Sequence, residues 1–304
     1  MKLSLRGWPI ILVFLAVLVV PSYSGLRGSA LKVQTVGIPG LTKENTRFAF
    51  ADDGYALVAP YAPSQKRKTI GPEDIEKLDN NNIYVVDTQN AKAEPRKIGL
   101  GNLYYPTSVV IDEAHETAVV AGTILDTVRD KETGQELVQV SAGIALAHLH
   151  TIDHKVEATA QPVILRIPGR DGTETTPDAP GAIFLGGSRG GFVVFSNGAS
   201  VYSVSIADGA LSELEVIPGD EYSPNNYVSV VAVDKDSSVV VLSQNLIEKN
   251  RDGDAIQKTS LLFYSLKDDG SFSAWKMTDS GGFPEGTFLS EGSQVAIATD
   301  DSGN

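Results

Sequence analysis

Apolar residues along this chain come in short runs of about four to eight positions, and nearly every run is closed by glycine, aspartate, asparagine or proline. Two stretches show the unit clearly. Thr107 to Ala121 and Val228 to Leu242 each read as an apolar strand, a tight polar turn and a second apolar strand. Arg47 to Ala59 has the same shape, with Asp52-Asp53-Gly54 as its turn, and Ala182 to Phe195 turns at Gly186-Gly187-Ser188. A further copy starts at Thr287 and turns at Glu291-Gly292 before Val295 to Ala298.

A second hairpin follows in four of the copies. Ile83 to Val86 leads through Asp87-Thr-Gln-Asn to Pro95-Arg-Lys-Ile98, and Ile144 to His148 leads to Val156-Glu-Ala-Thr159. Val201 to Ile206 turns at Ala207-Asp208-Gly209-Ala210 and returns through Leu211 to Ile217. Leu261 to Leu266 turns at Lys267-Asp268-Asp269-Gly270 and returns through Phe272 to Met277. Asp-Gly between alternating apolar runs is among the stronger short-range hairpin signals. The third strands begin at 83, 144, 201 and 261, a period close to 60. Four consecutive antiparallel strands repeated at a fixed period describe a propeller blade, and such a blade needs neighbours to cover both of its faces. The expected fold class is therefore all-β, a β-propeller of four-stranded antiparallel blades with about five copies visible.

Closure of the ring has two readings. Lys32 to Ile38 resembles a fourth strand, which would complete the last copy and close five blades. The alternative is a piece of a six- or seven-bladed ring. An open sheet edge invites aggregation, so the second reading is the expectation.

Composition agrees with short strands and turns: 29 glycines, 15 prolines and a hydrophobic fraction of 42% in 304 residues. The formal charge of −13 repels phosphate backbones, so no nucleic-acid partner is expected. Lys66-Arg67-Lys68 is the basic cluster and reads as a solvated loop. With no cysteine, disulfides, zinc–thiolate sites and thiol nucleophiles are excluded. Lys2 and Arg6 precede an apolar run from Trp8 to Val20, followed by Pro21 and small residues at Ser22, Ser24 and Gly25. That layout reads as a secretory signal peptide over 1–24, too short in its apolar part to span a bilayer. The expectation is a secreted or periplasmic domain over 31–304, with no stable membrane insertion after cleavage.

In a propeller, second-to-third connections and the crossings between blades share one face, and the extra length here lies in those two classes. Pro60 to Asn82, Ile124 to Ala142 and Leu246 to Ser260 are long second-to-third connections, and Pro168 to Gly181 and Gly219 to Tyr227 are long crossings. Binding and catalysis concentrate on such loops. Positions just before the first strands approach the channel and hold Asn45, Tyr105, Asn226 and Glu285, with Pro180-Gly181 in the third copy. Asn and Glu oxygens around a channel suit calcium; capping of turns is the plainer role. Three other motifs read as structural. Asn250-Arg-Asp252-Gly253-Asp254 lacks the glutamate a helical calcium loop needs, since Thr259 stands at its twelfth position, and reads as a hairpin tip. His148 and His150 share one strand face, but no carboxylate completes a zinc site by sequence. Gly186 to Gly191 precedes a strand rather than a helix and reads as a turn, not a phosphate loop.

Leu262-Phe-Tyr-Ser-Leu-Lys-Asp-Asp-Gly-Ser-Phe-Ser, followed by Ser280-Gly-Gly-Phe-Pro-Glu-Gly and Val295-Ala-Ile-Ala298, resembles a blade of the seven-bladed lactonase family. That family includes phosphogluconolactonase-like and carboxymuconate-cyclase-like proteins. Ile83-Tyr-Val-Val-Asp87 is similar to the short repeat of YVTN-type propellers. The resemblance implies blade architecture; none of the family's catalytic residues is carried onto positions here.

Two functions follow as expectations. The first is a binding module for a protein, glycan or small-molecule ligand, with Tyr104, Tyr105, Tyr222 and Tyr227 as exposed aromatics on the looped face. The alternative is a lactonase-like hydrolase or isomerase, with a channel cation held by Asn45, Asn226 and Glu285 polarising a carbonyl.

Overall fold

A computed structural model describes residue 38 and residues 47–51, 54–60, 71–90, 92–152, 155–158, 161–167, 179–187, 191–217, 227–233, 238–249 and 255–274. These residues form four separate antiparallel sheets. The first holds β1 (Arg47–Phe50), β2 (Tyr55–Ala59), β3 (Asn82–Asp87) and β4 (Arg96–Gly99), with a short helix, α1 (Pro72–Ile75), between β2 and β3. The second holds β5 (Leu103–Asp112), β6 (Thr117–Arg129), β7 (Glu136–Ile152), β8 (Lys155–Ala158) and β9 (Val163–Arg166). In the third are β10 (Ile183–Gly186), β11 (Phe192–Asn197), β12 (Ser200–Ser205) and β13 (Leu211–Glu215). The fourth has β14 (Tyr227–Val233), β15 (Ser238–Lys249), β16 (Ala255–Leu266) and β17 (Phe272–Ala274). The all-β class and the four-strand unit are as the periodicity predicts. The copy beginning at Thr287 and the segment Lys32 to Gly37 lie outside the described residues.

Strand alternation assigns each apolar residue to one of two interfaces. On β6, Ala118 and Val120 pack towards the first sheet, whereas Val119 and Ala121 pack towards the third. On β7, Ala145, Ala147 and Leu149 face the first sheet, and Ile144 and Leu146 face the third. The third sheet repeats this: Val193, Phe195, Tyr202 and Val204 meet the second sheet, and Val194 and Val201 meet the fourth. Within the body of sheets two and three the middle strands thus have no solvent face, which explains why they read as continuous Val/Ala/Ile runs. Side chains on both faces lie out of water, and each such Val or Ile contributes about 1.5–3 kcal/mol of transfer free energy.

Turn chemistry ends the strands where the sequence places Asp and Gly. The Asp87 carboxylate accepts the N–H groups of Gln89 and Asn90, both at 2.8 Å. Asp208 accepts from Ala210 N–H at 3.1 Å, beside Gly209 at φ 72°, and Asp269 accepts from Ser271 N–H at 2.9 Å, beside Gly270 at φ 80°. A side-chain oxygen that satisfies the backbone two residues on favours the turn over continued strand.

Two local expectations are corrected. Val156 to Thr159 was expected as the fourth strand of the second unit. β8 instead pairs with the far end of β7, Leu149↔Ala158 to Ile152↔Lys155, and β9 takes the fourth place in the body of the sheet, pairing with Gly143 to Leu146. β7 is 17 residues long, so one of its edges has room for two partners. Also, the connections expected as loops over 124–142 and 246–260 are largely paired strands. Leu125↔Val140 to Arg129↔Glu136 continue the β6–β7 ladder, and Gln244↔Thr259 to Lys249↔Ala255 continue that of β15–β16.

Hydrogen bonds bolt neighbouring sheets together at their inner strands. The Asp112 carboxylate is 3% exposed and accepts the Gly191 N–H of the third sheet at 2.8 Å and the His115 N–H at 3.1 Å. The His115 ring nitrogen Nδ1 lies 3.0 Å from it. An Asp112→Ala substitution takes the charged acceptor from these part-buried donors, so unfolding in urea should show a loss of about 1–3 kcal/mol. Asp112→Asn, which keeps an acceptor oxygen, should lose less.

Candidate functional site at the inner mouth of the second sheet

Of the predicted channel residues, the structure describes Tyr105, near the start of β5, and Pro180-Gly181 ahead of β10. Asn45, Asn226 and Glu285 lie outside the described residues, so their convergence is not part of the geometry below. Pro180, also expected near the channel, is buried, and its carbonyl accepts the Thr107 hydroxyl at 2.6 Å.

Pairing between β5 and β6 breaks at this point. Tyr104 stands opposite Thr123 and Ser108 opposite Ala121, so Tyr105, Pro106 and Thr107 together face the single Gly122. This wide bulge is where a proline fits, because Pro106 has no N–H to give to a ladder. Tyr105 adopts a left-handed φ of 50°. For a bulky residue that conformation costs of order 1–3 kcal/mol and persists only when the surroundings over-determine it. They do. The Tyr105 N–H donates to the Asn80 carbonyl of the first sheet at 2.9 Å, while Thr107 reaches the third sheet through Pro180. One bulge therefore ties three consecutive sheets.

The bulge also breaks strand alternation, so the two phenols feel each other. Burial pushes the Tyr104 hydroxyl pKa up, and the neighbouring Tyr105 phenol adds to the rise. Tyr104 is buried and Tyr105 half-buried, whereas the side chains of Tyr222 and Tyr227 lie outside the described residues. Of the exposed aromatics expected on this face, Tyr104 is corrected to a buried ring and Tyr105 is partly open.

Gly122 makes the bulge sterically possible. A Cβ there would sit 2.8 Å from the Tyr104 carbonyl oxygen and 2.5 Å from Leu103 Cδ2. Gly122→Ala should therefore displace Tyr104 and Tyr105 and cost about 1–3 kcal/mol by thermal or urea unfolding.

Around the crossing lies a polar rim. Asn81 Nδ2 donates to the Gly101 carbonyl at 2.8 Å, and Asn102 Nδ2 donates to Asp126 Oδ1 at 2.6 Å. The Arg166 guanidinium holds the other Asp126 oxygen and donates to Ser141 Oγ at 2.9 Å. Asn80 contributes differently: its Oδ1 is buried without a donor among the described residues, leaving an acceptor that a ligand hydroxyl, an N–H or water would satisfy. Sequence reading missed Asn80, Gly122, Asp126 and Arg166. The run Asn80-Asn81-Asn82 ahead of an apolar strand was the available signal, and it was read only as the end of a loop.

Above the rim rises the β6–β7 arm. Its tip is fastened by Asp130, whose carboxylate accepts the N–H groups of Glu132 at 3.0 Å and Thr133 at 2.6 Å and the Thr133 hydroxyl at 2.8 Å. The Thr133 backbone bond, then its hydroxyl, hold the Asp130 carboxyl below its ordinary value. With the folded value depressed, the turn's contribution is complete above the ordinary carboxylate range, about pH 4, and is lost as pH falls through the lower folded value. Amide exchange at Thr133 should thus stay slow down to about pH 4 and speed up below it, beyond the change in intrinsic rate.

At the opposite end of the sheet, His148 Nδ1 lies 3.1 Å from Thr117 Oγ1 and His150 Nδ1 lies 3.5 Å from Glu116 Oε2. No group of three or more His, Asp or Glu side chains is arranged to hold a metal among the described residues. The strands on either side of Asn250 to Asp254 pair as Lys249↔Ala255, as a hairpin tip requires.

No protein-family model matches the chain, and no curated protein matches it. Among solved structures the similarity is weak and partial. Hydrazine synthase of Kuenenia stuttgartiensis aligns at 15% identity and TM-score 0.39, over 78% of this chain and 55% of that one. A hypothetical selenium-binding protein from Sulfolobus tokodaii aligns at 14% identity and TM-score 0.46, over 74% and 52%. This chain therefore spans about half the length of each. A putative 6-phosphogluconolactonase from Bacteroides fragilis aligns at 10% identity and TM-score 0.21, over 75% and 87%. No helix among the described residues is long and apolar enough to cross a membrane.

Proposed function

We propose that this is an exported binding module whose working face is the end of the stack bearing the second-to-third connections. The observation that carries the reading is the pair of extended hairpins, β6–β7 and β15–β16, that leave two sheets at that same end. The third-to-fourth turns, at the other end of the first, third and fourth sheets, are held by the carboxylates of Asp87, Asp208 and Asp269. On the β6–β7 arm, Val128 and Leu137 stand directly opposite each other at 38% and 46% exposure, an apolar pair left open to solvent. Beneath it are the strained Tyr105 and the unsatisfied Asn80 oxygen. A protein, glycan or small-molecule ligand would meet the arms first and the rim second. Export rests on the basic start and apolar run over 1–24, which lie outside the described residues.

The second reading is a lactonase-like hydrolase or isomerase using a cation, calcium by preference, in the channel. It is favoured by the blade-level sequence resemblance to lactonase-family propellers, and the name of one similar structure, a putative phosphogluconolactonase, speaks to the same chemistry. Its carriers would be Asn45, Asn226 and Glu285.

One experiment separates the two. A photoreactive phenylalanine analogue placed at Val128 should crosslink a partner in the native host, while the same analogue at Leu211, exposed on β13, should not. Equal labelling at both positions would remove the case for the arm. In parallel, 6-phosphogluconolactone and simple δ-lactones are offered with calcium. Turnover lost in Asn226→Ala and Glu285→Ala would replace the binding reading with the enzymatic one.

A further inference from the structure

At the outer rim, away from the arms, a groove of about 810 Å³ opens between β4 of the first sheet and β8 with its following turn in the second. One wall is β4 with Gly101, and the other is Val156 to Ala158 with Gln161 and Pro162. β4 is the last strand of its sheet, so among the described residues one side of its backbone has no ladder partner. The register says which groups those are. Leu100 N–H donates to the Asn81 carbonyl at 2.7 Å, one step beyond the pair Asn82↔Gly99. In an antiparallel ladder the doubly bonded pairs recur every second residue, so Ile98 and Arg96 turn their N–H and C=O towards β3. Lys97 and Gly99 turn theirs outward, along the groove.

We propose that this edge binds an extended peptide segment by strand addition, and that the segment alternates apolar and acidic residues. The alternation follows from the faces of β4. Ile98 packs towards the second sheet together with Val156, so a side chain of the added strand on that face meets Val156, Ala158 and Pro162. On the opposite face stands the Lys97 ammonium, 5.9 Å from the centre of the Tyr84 ring and 2.7 Å from Asp79. Arg96 reaches Glu157 across the groove at 3.5 Å. Both pairs are exposed and screened by solvent, so they exchange readily for a carboxylate brought by a partner. In a chain of net charge −13, consecutive cations on an open edge mark where acids are welcome. Antiparallel self-pairing of β4 centred on Lys97 would set that ammonium against its own counterpart, which disfavours this register for a second copy of this chain. Close backbone approach is unobstructed: a Cβ added at Gly99 or Gly101 would meet nothing within 4 Å. Recognition by an exposed sheet edge takes its affinity from main-chain bonds and its selectivity from alternate side chains.

The test uses the whole chain and the probe acetyl-Thr-Val-Glu-Val-Glu-Val-Thr-amide. Binding should slow amide exchange at Lys97 and Gly99 by about tenfold or more, and a composition-matched, non-alternating peptide should not. Gly99→Pro removes an outward donor that no ladder bond uses, and should weaken binding about tenfold without lowering the melting temperature appreciably. Unchanged exchange at both amides in saturating peptide would overturn the proposal, as would undiminished binding to a folded Gly99→Pro chain. A chain that is dimeric and becomes monomeric on Gly99→Pro would overturn it too, by showing that the edge serves a second copy. If Gly99→Pro melts without cooperativity, Lys97→Glu is tested against the peptide with Lys in place of Glu. Restored binding supports the proposal, and no restoration overturns it.

Discussion

Burial of both faces of a sheet is the constraint on which this structure depends. A sheet with no solvent face must place every residue of its middle strands at one interface or the next, as Ala118 and Val119 do on β6 and Val193 and Val194 on β11. That requirement leaves little room for chemistry within the body of the sheets. Polar groups are pushed to the strand ends, where they cap turns, bolt neighbours together or line the mouth. Asp112, at the end of β5, and Thr107, in its bulge, are of this kind: each bonds a backbone group that immediately precedes a strand of the third sheet or lies in the crossing to it.

The mouth of the second sheet shows how function can be built where that regularity is interrupted. Three residues opposed to Gly122 bend β5, turn Tyr105 into a left-handed conformation and bring three sheets under one local distortion. Strain of this sort is tolerated because the sheets on either side are held by their own cores. The buried Asn80 oxygen sits beside the bend. An acceptor kept from water and a strained aromatic neighbour are features a purely structural crossing does not need.

Two outward-facing devices complete the picture, and they use different physics. The β6–β7 arm is self-supporting: its ladder continues to Arg129↔Glu136 and its tip is closed by Asp130, so it can present Val128 and Leu137 without help from the core. The β4 edge offers unpaired backbone, which any extended chain can read, with Arg96 and Lys97 setting the preference. The first sheet also leaves Phe48 and Phe50 at 41% and 55% exposure on the face turned from the second sheet, where Ile38, Val58, Tyr84 and Val86 are buried.

Strand order, turn positions and the period near 60 were determined by the sequence alone, because alternation and Asp-Gly chemistry act over a few residues. Leu261 to Leu266, its turn at Asp269-Gly270 and the return at Phe272 needed nothing distant to be legible. Tertiary structure decided the rest. Whether Val156 or Val163 begins the fourth strand of the second unit depended on a long β7 with space on one edge for both. The 124–142 connection looked like a loop because its exposed half carries Asp, Glu, Lys and Gln, yet cross-strand pairing makes it a ladder. The candidate site was half legible: Tyr105 stood out by its place before a first strand, but Gly122 acquires its role only from the carbonyl lying against it. Asn80 ahead of β3, Asp126 within β6 and Arg166 at the end of β9 are brought to one rim, a convergence that no spacing along the chain encodes.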